Sequence, residues 1–548
     1  MPALPTMDAI APHDRPARAG APVLLEADTL CTRDLAFSAQ DPFTDAGRIF
    51  TPTSSPLKET LPSVDLTSPE GSPREGTRWI STLGFFLGVA FLVLTLVLPP
   101  PTGLDPAGWR VAGIGLLMAA LWISEAVPLA VTALIPLVLF PAMEIASIEE
   151  AAAPFANPII FLFLGGFMLA QAMQRWDLHR RVALWIIGRT GTEPRRLVGG
   201  FMMASAFLSM WVSNTAVAVM MLPIGVSVIQ VTDRRGGDSF PIALLLGIAY
   251  GASIGGLATL IGTPPNALLA GFLAQNYGLD LGFGRWMLVG LPMTLVLLPS
   301  AWFVLTRVAF SVEGAAPEGH AAPTLYPMGG ALGAISLAER RVALIFGATA
   351  LAWIFRPLLN PLVPGISDAG IAILATLLLF LIPSGQGRGE RLLNWDWARR
   401  IPWDILLLFG GGLSLAGAIS TSGLADWLGH SLHGAAALPL ILTILLVTGL
   451  LIFLTELTSN TASAAAFIPI VAGLAGVLAV DPLLLAVPAT IAASCAFMLP
   501  VATPPNAIIF GSTLVPMRAM VRAGFLLNLL SMVLIPLIVL LFVPFLTP

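Results

Sequence analysis

The sequence predicts an all-α polytopic membrane protein made of two inverted repeats, with broken helices and re-entrant hairpins. Three observations predict it. Of 548 residues, 56% are hydrophobic and only 11% charged, with a mean hydropathy of +0.87, against about 25% charged in a soluble chain. Gly (52) and Pro (46) are both abundant, which in lipid implies kinked or interrupted helices. The polar triplet Ser213-Asn214-Thr215 interrupts one apolar run and recurs as Ser459-Asn460-Thr461 in another. A second interruption follows each copy: Gly262-Thr263-Pro264-Pro265-Asn266, then Ala502-Thr503-Pro504-Pro505-Asn506. Polar, turn-forming residues inside a membrane-grade segment are costly unless they bind something.

Residues 1–77 are rich in Pro, Ser, Thr, Asp and Ala without periodicity, and are expected to be a disordered cytoplasmic tail. The start lacks the charged, apolar and cleavage regions of a signal peptide. A first half, 78–310, begins with a span from about Trp79 to Pro99. The apolar run 108–143 suffices for two passes if broken at Pro128, and it holds Trp122-Ile123-Ser124-Glu125-Ala126-Val127-Pro128-Leu129. Near 157–174, Gly165-Gly166 lies mid-run with polar residues at both ends, which suggests a re-entrant hairpin. A helix from about 197 enters the first triplet and another leaves it. One from about 240 reaches the first Thr-Pro-Pro motif, and 284–310 spans again.

The polar segment 311–338 reads as a linker. The second half, 339–548, opens with spans near 341–357 and 364–383. A second hairpin is expected near 402–423, around Gly410-Gly411-Gly412. Runs 436–457 and 462–480 flank the second triplet, 484–500 leads to Thr503, and 521–545 closes the chain.

The landmarks repeat in register. Gly165 to Gly410 is 245 residues, Ser213 to Ser459 is 246, and Thr263 to Thr503 is 240. Order and spacing preserved together indicate duplication. Two half-helices and four full spans between the triplets make five crossings, and an odd number inverts one copy relative to the other.

A helix broken at mid-membrane exposes N–H groups at one new end and carbonyls at the other. The first suits a carboxylate; the second, with Ser, Thr and Asn oxygens, suits a small cation. No Arg or Lys lies within 213–215, 262–266, 459–461 or 502–506. A dianion there would need countercharge, and bound cations are the available source. Composition excludes other chemistries. A net charge of -4 implies no nucleic-acid partner, and Lys58, the sole lysine, lies in the tail. Cys31 and Cys495 form no disulfide framework. His13, His179, His320, His430 and His433 show no zinc-site spacing. No catalytic residue and no cofactor beyond coupling ions is expected.

Paired Ser-Asn-Thr motifs, each followed by Thr-Pro-Pro-Asn, with Trp122-x-x-Glu125-Ala126-x-Pro128-Leu129 upstream, resemble the divalent anion/sodium symporter family over roughly residues 79–548. The resemblance implies a sodium-coupled carrier of succinate, malate or fumarate in a bacterial inner membrane. It further implies a homodimer whose protomers each have a scaffold and an elevator-like transport domain. One sodium site would use Ser209, Ser213, Asn214 and the Gly262 carbonyl; the other would use Thr455, Ser459, Asn460 and the Ala502 carbonyl. Substrate carboxylates would meet Asn214, Thr215, Asn460 and Thr461, beside Thr263 and Thr503. Ser209 and Thr455 each precede the motif serine by four residues, about one helical turn.

Citrate or sulfate remain alternative substrates, exchange an alternative to symport, and sodium/proton antiport a more remote one. Antiport would need a buried carboxylate, for which Glu456 is the candidate; it is expected to play a supporting role, with Met210 at its position in the first copy. Glu125 is expected to be structural, and Asp404 and Asp426 to sit at the membrane surface. A membrane enzyme would need a Ser–Lys or Ser–His pair, a metal cluster or Asp-rich motifs, which the membrane segments lack. Arg74 and Arg78, beside the first span, predict a cytoplasmic amino terminus.

Overall fold

The computed structural model describes residues 75–232, 239–312, 333–387, 389–431 and 438–546. The expected tail, apart from its last three residues, lies outside these, as does the expected linker apart from its two ends. Lys58, Cys31, His13, His320 and His433 also lie outside. Among the described residues the protein is helical, with one isolated bridge between Pro383 and Arg391. Seven helical segments among the described residues are long and apolar enough to cross a membrane, and shorter apolar helices accompany them.

Helix α1 (Glu75–Val97) is followed by α2 (Pro106–Ser124), whose Asp105 cap accepts the Ala107 N–H at 2.8 Å. The break expected at Pro128 is present. α2 stops at Ser124, Glu125 turns left-handed (φ 47°), and α3 (Leu129–Thr132) and α4 (Ile135–Ala142) continue. The Trp122 indole closes this break by donating to the Leu129 carbonyl at 3.2 Å. A capping box of Ser147 and Glu150 starts α5 (Ile148–Ala152).

Seven helices then run in series: α6 (Pro158–Arg175), α7 (Leu178–Ile187), α8 (Pro194–Ser209), α9 (Asn214–Thr232), α10 (Ser239–Gly256), α11 (Pro264–Tyr277) and α12 (Phe283–Phe303). Between the series and its recurrence lie α13 (Leu337–Ile354), α14 (Arg356–Leu359), α15 (Asp368–Leu381) and α16 (Trp395–Ala398). The series returns as α17 (Trp403–Thr421), α18 (Leu424–Ser431), α19 (Leu440–Thr455), α20 (Asn460–Val477), α21 (Leu483–Ala493), α22 (Pro504–Gly511) and α23 (Met517–Phe542).

The segments expected to fold as hairpins near 157–174 and 402–423 are each one continuous helix, α6 and α17. The chain breaks only beyond Arg175 and Thr421. There left-handed Asp177 (φ 53°) and Gly423 (φ 71°) lead into the short helices α7 and α18. The glycines that suggested a turn serve packing instead. A Cβ on Gly165 would stand 2.5 Å from that of Ala372 on α15; one on Gly411 would collide with the Ala133 carbonyl, and one on Gly410 with the Phe155 ring. Bare backbone lets helices approach this closely. Gly251 and Gly255 do the same for α10 against Met202 and Ala206 of α8, holding the two helices that end at the site.

Candidate functional site

Both triplets sit where a helix stops and another begins. α8 ends at Ser209 and α9 starts at Asn214; α19 ends at Thr455 and α20 starts at Asn460. The second interruptions match as closely. Thr263 (φ -145°, ψ 143°) and Thr503 (φ -142°, ψ 147°) are extended, and the two prolines after each begin α11 and α22. Proline is well placed there, since the N–H it lacks has no helical partner. The double prolines are therefore helix starts rather than kinks.

Ser209 Oγ donates to Asn214 Oδ1 at 2.5 Å, and Thr455 Oγ1 lies 3.0 Å from Asn460 Oδ1 while sharing its one proton with the Ala493 carbonyl at 2.9 Å. Each hydroxyl thus lies beside the amide oxygen expected to share a cation with it. At the first copy the surrounding backbone forms an oxygen-lined cradle. A Cβ on Gly256 would stand 2.8 Å from Asn214 Oδ1 and 3.1 Å from the Gly262 carbonyl oxygen. Amide, hydroxyl and carbonyl oxygens are the ligands a hard cation takes.

The loops that carry Gly262 and Ala502 are held by residues whose roles the sequence did not reveal. Asn266 Nδ2 donates to the Gly256 and Thr259 carbonyls at 3.1 and 2.8 Å. Asn506 Nδ2 donates to Ala496 and Leu499 at 3.3 and 3.1 Å, 240 residues on in each case. The asparagine ending each Thr-Pro-Pro-Asn motif is therefore a loop clamp. The second fastener differs between copies. Thr259 Oγ1 donates to the Met210 carbonyl at 2.5 Å in the first. In the second, Glu456 accepts the Phe497, Met498 and Leu499 N–H groups at 2.7, 2.8 and 2.9 Å, plus Asn528 Nδ2 at 2.7 Å. A buried carboxylate so supplied with donors is satisfied, which fits the supporting role expected of it.

A cavity of about 520 Å³ joins the two copies. Its wall contains Ser213, Asn214, Thr215, Gly262 and Thr263 from the first, and Ser459, Asn460, Thr461, Ala502 and Thr503 from the second. Ser209 and Thr455 are fully buried behind it. Phe163 and Phe167 of α6 and Ile405 and Leu408 of α17 complete the apolar wall. Glu125 and Asp404, expected to be structural and at the surface, both line this cavity and are exposed. No Arg, Lys or His is among the described residues lining it. A larger cavity of about 790 Å³ contains none of the motif residues, and Arg356 in its wall is already paired with Asp280 (2.7 Å) and Asp368 (3.3 Å). The smaller cavity is where the polar groups converge.

The chain resembles known proteins over most of its length. Residues 80–547 match the family described as the sodium:sulfate symporter transmembrane region. The sodium-dependent dicarboxylate transporter SdcS of Staphylococcus saprophyticus is 43% identical over 475 residues, covering 84% of this chain and 91% of that protein. The Staphylococcus aureus protein of the same name is 42% identical over 478 residues, covering 83% and 90%. Two solved structures share the fold at low identity. The Alcanivorax borkumensis YdaH transporter has a TM-score of 0.54 at 14% identity, covering 86% of this chain and 98% of its own. Neisseria gonorrhoeae MtrF, described with a class of antimetabolite efflux pumps, has 0.53 at 13%, covering 85% and 96%. The chain belongs to the sodium:sulfate symporter family, the divalent anion/sodium symporters that its paired Ser-Asn-Thr motifs resemble.

Proposed function

We propose that this protein is a secondary active transporter that couples sodium entry to uptake of a C4-dicarboxylate such as succinate, malate or fumarate. The observation that carries the reading is the cavity itself: two matched sets of oxygen ligands and no cationic side chain in the wall. A dianion there needs cations for countercharge. Ser209, Ser213, Asn214 and Gly262 hold one sodium; Thr455, Ser459, Asn460 and Ala502 hold the other. Asn214, Thr215, Thr263, Asn460, Thr461 and Thr503 meet the substrate.

The two relatives named for sodium-dependent dicarboxylate transport support the substrate class. The family's description favours sulfate as the second reading, and citrate is a third. In our reading the repeats are inverted, α6–α7 and α17–α18 are re-entrant, and a transport domain moves like an elevator within a homodimer. The chain lies in a bacterial inner membrane with its amino terminus in the cytoplasm.

Radiolabelled succinate uptake into proteoliposomes tests the proposal. Accumulation under an inward sodium gradient, and none when potassium replaces sodium, is expected. Sodium-independent uptake stimulated by internal dicarboxylate would replace symport with exchange. Uptake of sulfate but not succinate would move the substrate to the second reading.

A further inference from the structure

We infer that Tyr250 is a positioning residue that couples the two cation sites. The inference rests on the two-site reading above and adds a physical connection between the sites. Tyr250 is fully buried on α10, six residues before Gly256. Its hydroxyl crosses to the other copy, donating to the Phe497 carbonyl at 2.8 Å, with the Met520 carbonyl at 3.4 Å. The Tyr250 and Phe497 rings meet edge-on, with centroids 5.2 Å apart.

Phe497 begins the stretch that Glu456 fastens. Its N–H goes to Glu456 and its C=O to Tyr250, so the peptide is gripped from both sides. The same stretch leads to Leu499, whose carbonyl Asn506 clamps, and on to Ala502. At the other end of the connection, Gly256 terminates α10 in the first oxygen cradle. Six residues of helix amount to about 9 Å of rigid rod. A cation that settles the first cradle therefore settles Tyr250, and Tyr250 settles the second loop.

The repeat shows what is unusual here. Leu257 occupies the position of Phe497 in the first copy, and glycines Gly290 and Gly524 press on the two carbonyls alike. The Leu257 carbonyl is held within its own copy, by the Trp286 indole at 2.9 Å. Met520 occupies the Trp286 position in the second copy and has no side-chain donor, so Tyr250 takes over from across the repeat boundary. The reverse connection is missing. Thr490, at the Tyr250 position, donates to Ala486 of its own helix.

Y250F removes one hydroxyl and keeps the ring. For sodium-driven succinate uptake, the Hill coefficient for sodium should fall from about two toward about one, and half-saturating sodium should rise about five-fold. The succinate KM at saturating sodium should stay unchanged, which a merely structural defect would not achieve. Wild-type sodium parameters in Y250F, or a raised succinate KM instead, overturn the inference.

A second measurement needs neither that variant nor substrate. With Tyr250 intact, N214A in detergent should need about five-fold more sodium for thermal stabilisation by its remaining site. No change in that requirement overturns the inference even if Y250F fails to fold. Absence of sodium-dependent uptake by the wild-type chain would sink the transport reading, while the detergent titration still reports coupling.

Discussion

Replacing Glu456 with Gln separates a fastener from a proton carrier. Oε1 takes three donors and Oε2 takes one, the Leu499 N–H. In E456Q the amide oxygen best replaces Oε1, which turns the new NH2 toward the Leu499 N–H and leaves that donor unpaired. An unpaired buried donor costs about 1–3 kcal/mol. The three remaining bonds change from charge-assisted to neutral, roughly 0.5–1 kcal/mol each. Burying an amide costs less than burying a carboxylate, which offsets part of this; the net destabilisation of the loop is about 2–4 kcal/mol. If about 1.4 kcal/mol of it falls on the cation site, half-saturating sodium rises tenfold. The assay is a sodium titration of succinate uptake beside a melting curve in detergent. Both should shift together. A wild-type sodium curve and melting temperature in E456Q would refute the fastener. Loss of proton-linked transport with an unchanged melting temperature would instead make Glu456 the carboxylate of an antiporter.

Four other outcomes are expected. N214A and N460A should each abolish sodium-dependent uptake while the protein remains folded and inserted; normal uptake by both would show the site to be misplaced. G256A places its methyl 2.8 Å from Asn214 Oδ1, so half-saturating sodium should rise about tenfold or more with helical content unchanged by circular dichroism. R356M removes the countercharge of Asp368, whose side chain is 9% exposed and keeps, among the described residues, only the Phe283 N–H as a partner, and should cost about 3 kcal/mol, read as a lowered melting temperature. D280N, at a side chain 74% exposed, should cost under about 1 kcal/mol.

Breaks were legible in the sequence because their causes are local. Proline lacks an N–H, Asn and Ser start helices, and polar residues stand out against apolar flanks, so the interruptions at 209–214, 455–460, 263 and 503 could be read directly. The glycines could not. Gly165 and Gly411 have one signature for a turn and for close packing, and only Ala372 and Ala133, far along the chain, decide between them. Glu456 showed that a carboxylate was buried, but its four donors lie 41 to 72 residues away. Tyr250 gave no signal, because its purpose depends on a carbonyl 247 residues on. Asp404 looked like a surface residue and is exposed, but its neighbours gave no sign that it also lines the shared cavity.

The two copies keep the same atoms at the cavity and use some different ones behind it. At the cavity Asn214 matches Asn460 and Thr263 matches Thr503; behind it the Asn266 and Asn506 clamps match too, while Met210 stands at the repeat position of Glu456 and Trp286 at that of Met520. In the proposed sites, ligation through backbone carbonyls would explain the pattern: Gly262 and Ala502 could then differ in side chain, and any fastener that sets the loop would serve. What cannot vary is the charge balance. The starts of α9 and α20 each present about half a positive charge, together about half of what a dianion carries. Glu125 and Asp404 in the same wall oppose it further. In the proposed cycle, a dianion that arrived without cations would meet a deficit in a low-dielectric site. In that cycle a cavity with no arginine among its described lining residues would make uptake wait for sodium.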